Sequence, residues 1–269
     1  MPYQLTNRAL FKLSGTDAES FLQAQLSNDI TKLDENRVQL SAYCQHQGKI
    51  LALFWVMRDG DDFLLSFPSD LVESLMPRLK MFVLMSDVVI DDISNEYTQI
   101  GHIDSAIDGA YFINPRLSVE VIKSDDANII DLPPMDGWVK ACIETALPEV
   151  ALATTELLVP QMLNLDIDEI GVNFSKGCYP GQEVVARLHY LGKAKRRLFA
   201  FKSATLLAIG DSLYCESSKS AKASGIVVSL VKYDSEFLCL ATLEVVHKDD
   251  RITLNGTEGG VLTRIKNDE

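Results

Sequence analysis

Apolar positions along the N-terminal third of the chain switch between two periods. Ala18, Phe21, Leu22, Gln25 and Leu26 fall on one face of a helix. Ahead of them, Thr16-Asp17-Ala18-Glu19 has the S/T-x-x-E form of a capping box, in which Thr16 accepts from the Glu19 backbone N–H, and Asn28-Asp29 is the expected stop. From Arg37 to Cys44 the period is two, with Val38, Leu40, Ala42 and Cys44 on one side and Gln39, Ser41 and Tyr43 on the other, as in a half-buried strand. Gln45-His46-Gln47-Gly48 reads as its turn. Ile50 to Met57 and Phe63 to Phe67 then read as strands around the turn Asp59 to Asp62. A helix opened by Ser69-Asp70 follows, carrying Leu71, Leu75 and Leu79, and then a strand from Val88 to Ile90. Pro77 is expected to kink that helix or end it early. The β-β-α-β order predicts a ferredoxin-like portion at about 45–100 and an α+β fold class.

The rest of the chain changes character twice. Residues 101–137 give no readable period, being punctuated by Asn114-Pro115, Asp125-Asp126 and Pro133-Pro134. A helix is expected from about Trp138 to Leu147, and Leu158 to Leu165 reads as loop or short helix. From Arg197 onward, Leu198 to Lys202, Leu213 to Glu216, Gly225 to Lys232, Phe237 to Val246 and Gly260 to Ile265 read as short strands between Gly, Ser and Asp turns. They predict a small all-β barrel over 197–269.

Composition narrows the function classes. With 47% hydrophobic and 23% charged residues the chain is an ordinary globular one, and its net charge of −13 counts against a broad nucleic-acid surface. An anion site must therefore be a local concentration of positive charge. Apolar runs such as Ile50 to Met57 fall short of the ~20 residues that span a bilayer, and the N-terminal segment lacks a signal peptide's apolar stretch. No membrane partner and a cytoplasmic protein are the expectations. The five cysteines (Cys44, Cys142, Cys178, Cys215, Cys239) include no C-x-x-C pair and no Cys/His cluster at ligand spacing. No metal site is expected, and a disulfide scaffold or self-contained iron–sulfur cage is ruled against. Neither G-x-S-x-G, G-x-x-x-x-G-K-[ST] nor G-x-G-x-x-G occurs.

The chemistry-bearing stretch is Lys176-Gly177-Cys178-Tyr179-Pro180-Gly181-Gln182-Glu183. Tyr179-Pro180-Gly181-Gln182 has Pro and Gly at the centre of a type II turn, where Gly supplies the positive φ. A short helix after it would set Glu183 four residues from Arg187. Cys178, beside Lys176 and near that helix start, is a candidate reactive thiolate; the alternative is a buried inert thiol. Beyond Glu183 no acidic residue occurs before Asp211, while Arg187, Lys193, Lys195, Arg196, Arg197 and Lys202 supply positive charge. That segment reads either as an anion-binding patch or as a solvated linker.

Lys176 to Glu183 resembles the K-G-C-[FY]-x-G-Q-E signature of the YgfZ-type folate-binding proteins, relatives of the glycine-cleavage T protein (aminomethyltransferase). Supporting matches run through Leu13 to Ala18, Phe21-Leu22-Gln23, Gly48-Lys49, Ile143 to Pro148, Pro160 to Leu165 and Lys195-Arg196-Arg197. The resemblance implies a T-protein-like multi-part fold, with a folate-binding core over 1–196 and a C-terminal barrel, around a channel for tetrahydrofolate or a derivative. It also implies support of iron–sulfur enzymes, including the radical tRNA methylthiotransferases, with Cys178 as the essential thiol and Lys176 beside it. Direct tRNA contact is left open. Trp138, Glu144, Tyr179, Gln182, Glu183 and Arg187 are the implied cofactor-binding residues. Arg8 stands where the family's folate site has a second tryptophan. A folate-dependent aminomethyl transferase and a passive folate-binding module are the alternative functions.

Overall fold

The computed structural model describes residues 1–84, 86–105, 107–126, 132–218 and 222–265. The N-terminal elements are β1 (Pro2–Gln4), β2 (Arg8–Ser14), α1 (Ala18–Gln25), β3 (Gln39–Cys44), β4 (Ile50–Asp59), β5 (Asp62–Pro68), α2 (Val72–Phe82) and β6 (Val89–Asp92). Strands β3-β4-β5-β2-β6 form one antiparallel sheet. Helices α1 and α2 cover one face, where Phe21, Leu22, Leu75 and Leu79 meet Phe11, Phe54 and Phe67. The other face, through Leu10, Leu53, Trp55 and Met57, meets Trp138, Leu117 and Val119. A sheet covered on both faces explains why Ile50 to Met57 is continuously apolar.

That double cover corrects the half-buried reading of β3: Ser41 and Tyr43 are as buried as Leu40 and Ala42. Ser41 Oγ accepts from the Asn28 backbone N–H at 2.9 Å, and Tyr43 stacks on Phe54. The expected capping box does not form. The Thr16 hydroxyl donates to Asp87 at 2.8 Å, and Glu19 pairs with Arg58 at 2.7 Å, so tertiary partners outcompete the local cap. Nor does Pro77 end its helix, which runs on to Phe82. Leu71, Leu75 and Leu79 bury the inward face and offset the single intrahelical bond that proline removes. Strand β2, an interior strand between β5 and β6, carries no clear period and is visible only in the structure.

The segment without a readable period builds a second sheet. Strands β7 (Tyr97–Ile103), β8 (Tyr111–Phe112) and β9 (Leu117–Lys123) join in the order β1-β7-β9-β8. Helix α3 (Asp136–Glu144) packs on it, and stops short of Leu147 because the chain reverses at Ala146, whose φ is +52°. Residues 160–163 form a short 3-10 turn and α4 spans Gln182–Leu191.

The C-terminal strands are β10 (Arg196–Ser203), β11 (Ser212–Cys215), β12 (Gly225–Tyr233), β13 (Glu236–Glu244), β14 (Ile252–Leu254) and β15 (Val261–Arg264). They close a barrel in the order β10-β13-β12-β11-β14-β15 around Phe201, Leu213, Cys239 and Leu243. Leu198, Val228, Val231 and Leu240 join the core that holds Trp138, which docks the barrel on α3. Among the described residues no helix is long and apolar enough to cross a membrane.

Candidate functional site

The motif turn is built as its sequence requires. Gly181 has φ +82° and the Gln182 N–H donates to the Tyr179 carbonyl at 3.2 Å, a type II turn centred on Pro180 and Gly181. A Cβ on Gly181 would stand 2.4 Å from the Gln45 carbonyl oxygen, and one on Gly48 (φ +72°) 3.1 Å from the Val184 Cβ. Two glycine turns therefore pack backbone to backbone, and the β3–β4 hairpin fixes the start of α4. At the far end of α4 the His189 ring stacks on Phe174 with centroids 3.7 Å apart.

Lys176 is buried and anchors the segment. Its Nζ donates to the carbonyls of Gln23 at 2.7 Å, Leu26 at 2.5 Å and Asn28 at 2.8 Å, where the end of α1 leaves carbonyls unbonded and favours a cation. Burial draws its ammonium down to about 8, with Asp29 opposing. Tyr179 is also buried, its ring 5.5 Å from the ammonium, and burial raises its phenol.

Between these anchors Cys178 is exposed. The other thiols are not equivalent to it: Cys44, Cys215 and Cys239 are buried and Cys142 is half-buried. Burial pushes Cys44 and Cys239 up to about 12, and raises Cys142 and Cys215 as well. A thiol held neutral and enclosed is a poor nucleophile and ligand, so accessibility singles out Cys178. Lys176, two residues before it in the motif, has its ammonium engaged by three carbonyls.

The remaining motif residues divide. Gln182 is half-buried, its Nε2 donating to the Gly177 carbonyl at 3.4 Å. Glu183 and Arg187 are exposed, and among the described residues no ion pair joins them. In the basic segment, Arg196 pairs with Glu244 at 3.5 Å, Arg197 with Asp166, and Lys202 with Glu236 at 3.5 Å. Arg196 and Lys202 pair within the barrel and Arg197 ties it to the segment before α4; Lys202 is exposed but paired, and Arg187, Lys193 and Lys195 are the exposed cations of the six that are in no ion pair among the described residues.

A second feature lies elsewhere. A small half-open cleft with about 40 Å³ of free volume is lined by Arg8, Trp55, Met135, Trp138, Cys142 and Glu149, among others. Trp138 rests on Gly101, where a Cβ would come within 2.5 Å of the indole, and meets Trp55 edge-on at 6.3 Å. The Arg8 guanidinium lies 3.6 Å over the Trp55 ring, donates from Nε to Ser66 Oγ at 2.7 Å and from Nη1 to Glu149 Oε1 at 2.5 Å. Burial disfavours its charge and Glu149 opposes that loss. The Arg8 side chain is 3% exposed and that of Glu149 29%.

Trp138 and Glu144 are not brought together. Six residues along the helix, Glu144 projects about 120° around the axis from Trp138, and it pairs instead with Arg116 at 3.2 Å and with Lys140. Burial raises its carboxyl, but Lys140 and Arg116 outweigh that and hold it below the usual range. The carboxylate at the cleft is Glu149, which sequence reasoning missed. Its one signal is its place directly after Pro148, and only the reversal at Ala146 returns it to Arg8. Cleft and motif turn lie toward opposite parts of β4, since Ile50 and Trp55 are about 17 Å apart along the strand.

No family model matches the sequence. A Haemophilus influenzae protein described as uncharacterized is 32% identical over 254 residues, 91% of this chain and 88% of that one. The tRNA-modifying protein YgfZ of Escherichia fergusonii is 27% identical over 264 residues, and that of Shigella boydii 26%, each covering 86% of this chain and 81% of the relative. Aminomethyltransferase T of the glycine cleavage system from Bartonella henselae superposes with a TM-score of 0.73 over 99% of this chain and 84% of its own, at 11% identity, a likeness of fold. The chain thus has the fold of that T protein and, over most of its length, is a homologue of proteins named tRNA-modifying protein YgfZ.

Proposed function

We propose that the protein is a folate-binding accessory factor supporting assembly or repair of iron–sulfur enzymes, including radical methylthiotransferases that modify tRNA. Cys178 is its reactive thiol. The observation that carries this reading is the exposure of Cys178 beside a turn locked from several sides, while burial raises the other four thiols. A lone exposed thiol suits transient contact with iron or sulfur better than storage of a cluster, and among the described residues no three His, Cys, Asp or Glu side chains converge as a metal site.

The cleft supports the folate part. Trp55, Trp138, Met135 and Pro148 offer apolar faces, and Arg8 Nη2 is a buried donor with no acceptor. With about 40 Å³ of free volume the cleft falls well below an enclosing ligand pocket and would have to open further to take a bicyclic head. Tetrahydrofolate or a derivative supplies a one-carbon carrier when bound, and Arg8, Trp138 and Glu149 are the residues that would hold and orient its ring. Aminomethyl transfer needs a general base facing the reacting atoms; Glu149 is tied to Arg8, and that reading leaves Cys178 without a task.

Complementation of a strain lacking the family member tests the proposal through methylthio-tRNA content. Wild type is expected to restore it, and Cys178→Ala to fail while folding with unchanged Tm. Full restoration by Cys178→Ala overturns the role of the thiol.

A further inference from the structure

The far end of α4 gathers positive charge that no ion pair uses. Arg187, Lys193 and Lys195 stand exposed and unpaired among the described residues, on a chain whose net charge is −13. Aromatic rings lie among them. His189 stacks on Phe174 with centroids 3.7 Å apart, and Tyr190 meets Phe174 at 5.9 Å and His189 at 4.8 Å, both at steep interplanar angles. Tyr190 is 65% exposed, which leaves much of its ring open to a partner. Arg187 precedes it by three residues and shares its side of the helix, while Lys193 and Lys195 follow the helix end. An open ring flanked by lone cations matches a flat group carried on a chain of anions, which is the chemistry of a single-stranded nucleic acid. An acidic protein segment would answer the charge but leave the flat faces unused.

We infer that the far end of α4 binds a single-stranded loop of tRNA, with a base stacked on Tyr190 and phosphates paired with Arg187, Lys193 and Lys195. The carbonyls at a helix C-terminus repel phosphate, so the side chains supply the attraction. Ten residues of helix span about 15 Å, which sets a bound loop within reach of the segment that carries Cys178. The choice of tRNA rests on the proposed function; the stacking and the charge do not.

Fluorescence anisotropy of the whole protein with a labelled RNA stem-loop, and with the same stem closed as a full duplex, tests this. The stem-loop is expected to bind roughly five- to a hundredfold more tightly, the worth of about one stacked base. That preference is expected to vanish in Tyr190→Ala and to survive in Tyr190→Phe. Affinity should fall with salt at a log–log slope of about −2 for three phosphate contacts, and at about −0.7 when Lys193→Gln and Lys195→Gln are combined. All these positions are exposed, and an unchanged Tm separates lost binding from lost fold. Equal binding of stem-loop and duplex, no binding of either, or a preference unchanged in Tyr190→Ala overturns the inference and leaves the role of Cys178 standing. Polyglutamate bound as tightly as the stem-loop overturns it in favour of an acidic protein partner. If Tyr190→Ala loses the stem-loop yet fully restores methylthio-tRNA in the complemented strain, the assignment to tRNA is overturned.

Discussion

The motif turn and the cleft each bury a cation, and they do so in opposite ways. Lys176 gives its three N–H donors to three backbone carbonyls, with no acidic side chain among them. Arg8 has one carboxylate partner that reaches solvent and one nitrogen with no partner at all. The first arrangement is complete and serves the fold. The second is incomplete, and incompleteness in a cleft is what a ligand can satisfy.

Removing each cation sharpens that contrast. Lys176→Met leaves three carbonyls at the end of α1 without a donor, and is expected to cost about 3 kcal/mol, or roughly 6–12 °C in Tm. A denaturant series with unchanged m-value checks it. Gly181→Ala ranks next: its backbone lies at φ +82° and the new methyl would meet the Gln45 carbonyl, so a loss of about 2 kcal/mol is expected. The same measurement should show Gly60→Ala, where the surroundings are open though φ is +61°, costing less. Arg8→Met is expected to cost about 1–2 kcal/mol: it loses the bonds to Ser66 and Glu149, but it also removes an unpaired buried donor, fills the space over Trp55 and leaves Glu149 accessible to water. A loss as large as that of Lys176→Met would make Arg8 a structural residue like the lysine.

The smallest effect belongs to Glu144. Its carboxyl is held low in the folded state, so its contribution is present above the unfolded carboxylate pKa and is lost as pH falls through the lowered folded value. The partners are largely exposed, and Glu144→Gln is expected to cost under about 1 kcal/mol near neutrality, with the difference from wild type vanishing in acid. A marked change in pteridine affinity in Glu144→Gln would return this residue to the ligand site.

The two regions also differ in how far the sequence reveals them. The motif turn is contiguous, and its type II geometry follows from Pro180 and Gly181 alone, so it was legible residue by residue. Five of the six barrel strands were legible for the same reason, announced by their own turn residues; β14, only three residues long, was not. The cleft is assembled from Arg8, Trp55, Trp138 and Glu149, which lie far apart in the chain and meet only through two sheets and α3. No local period encodes such a meeting. The same limit hid the partners of Lys176, which lie some 150 residues upstream, and the tertiary bonds that draw Thr16 and Glu19 away from their cap.

Competitive alkylation of the native protein at neutral pH, with each cysteine followed by peptide mass spectrometry, tests most directly the claim that the turn presents one available thiol. Cys178 is expected to be modified first, with Cys44, Cys142, Cys215 and Cys239 reacting at comparable rates only after unfolding. Modification of any of those four in the native protein ahead of Cys178 would contradict the account.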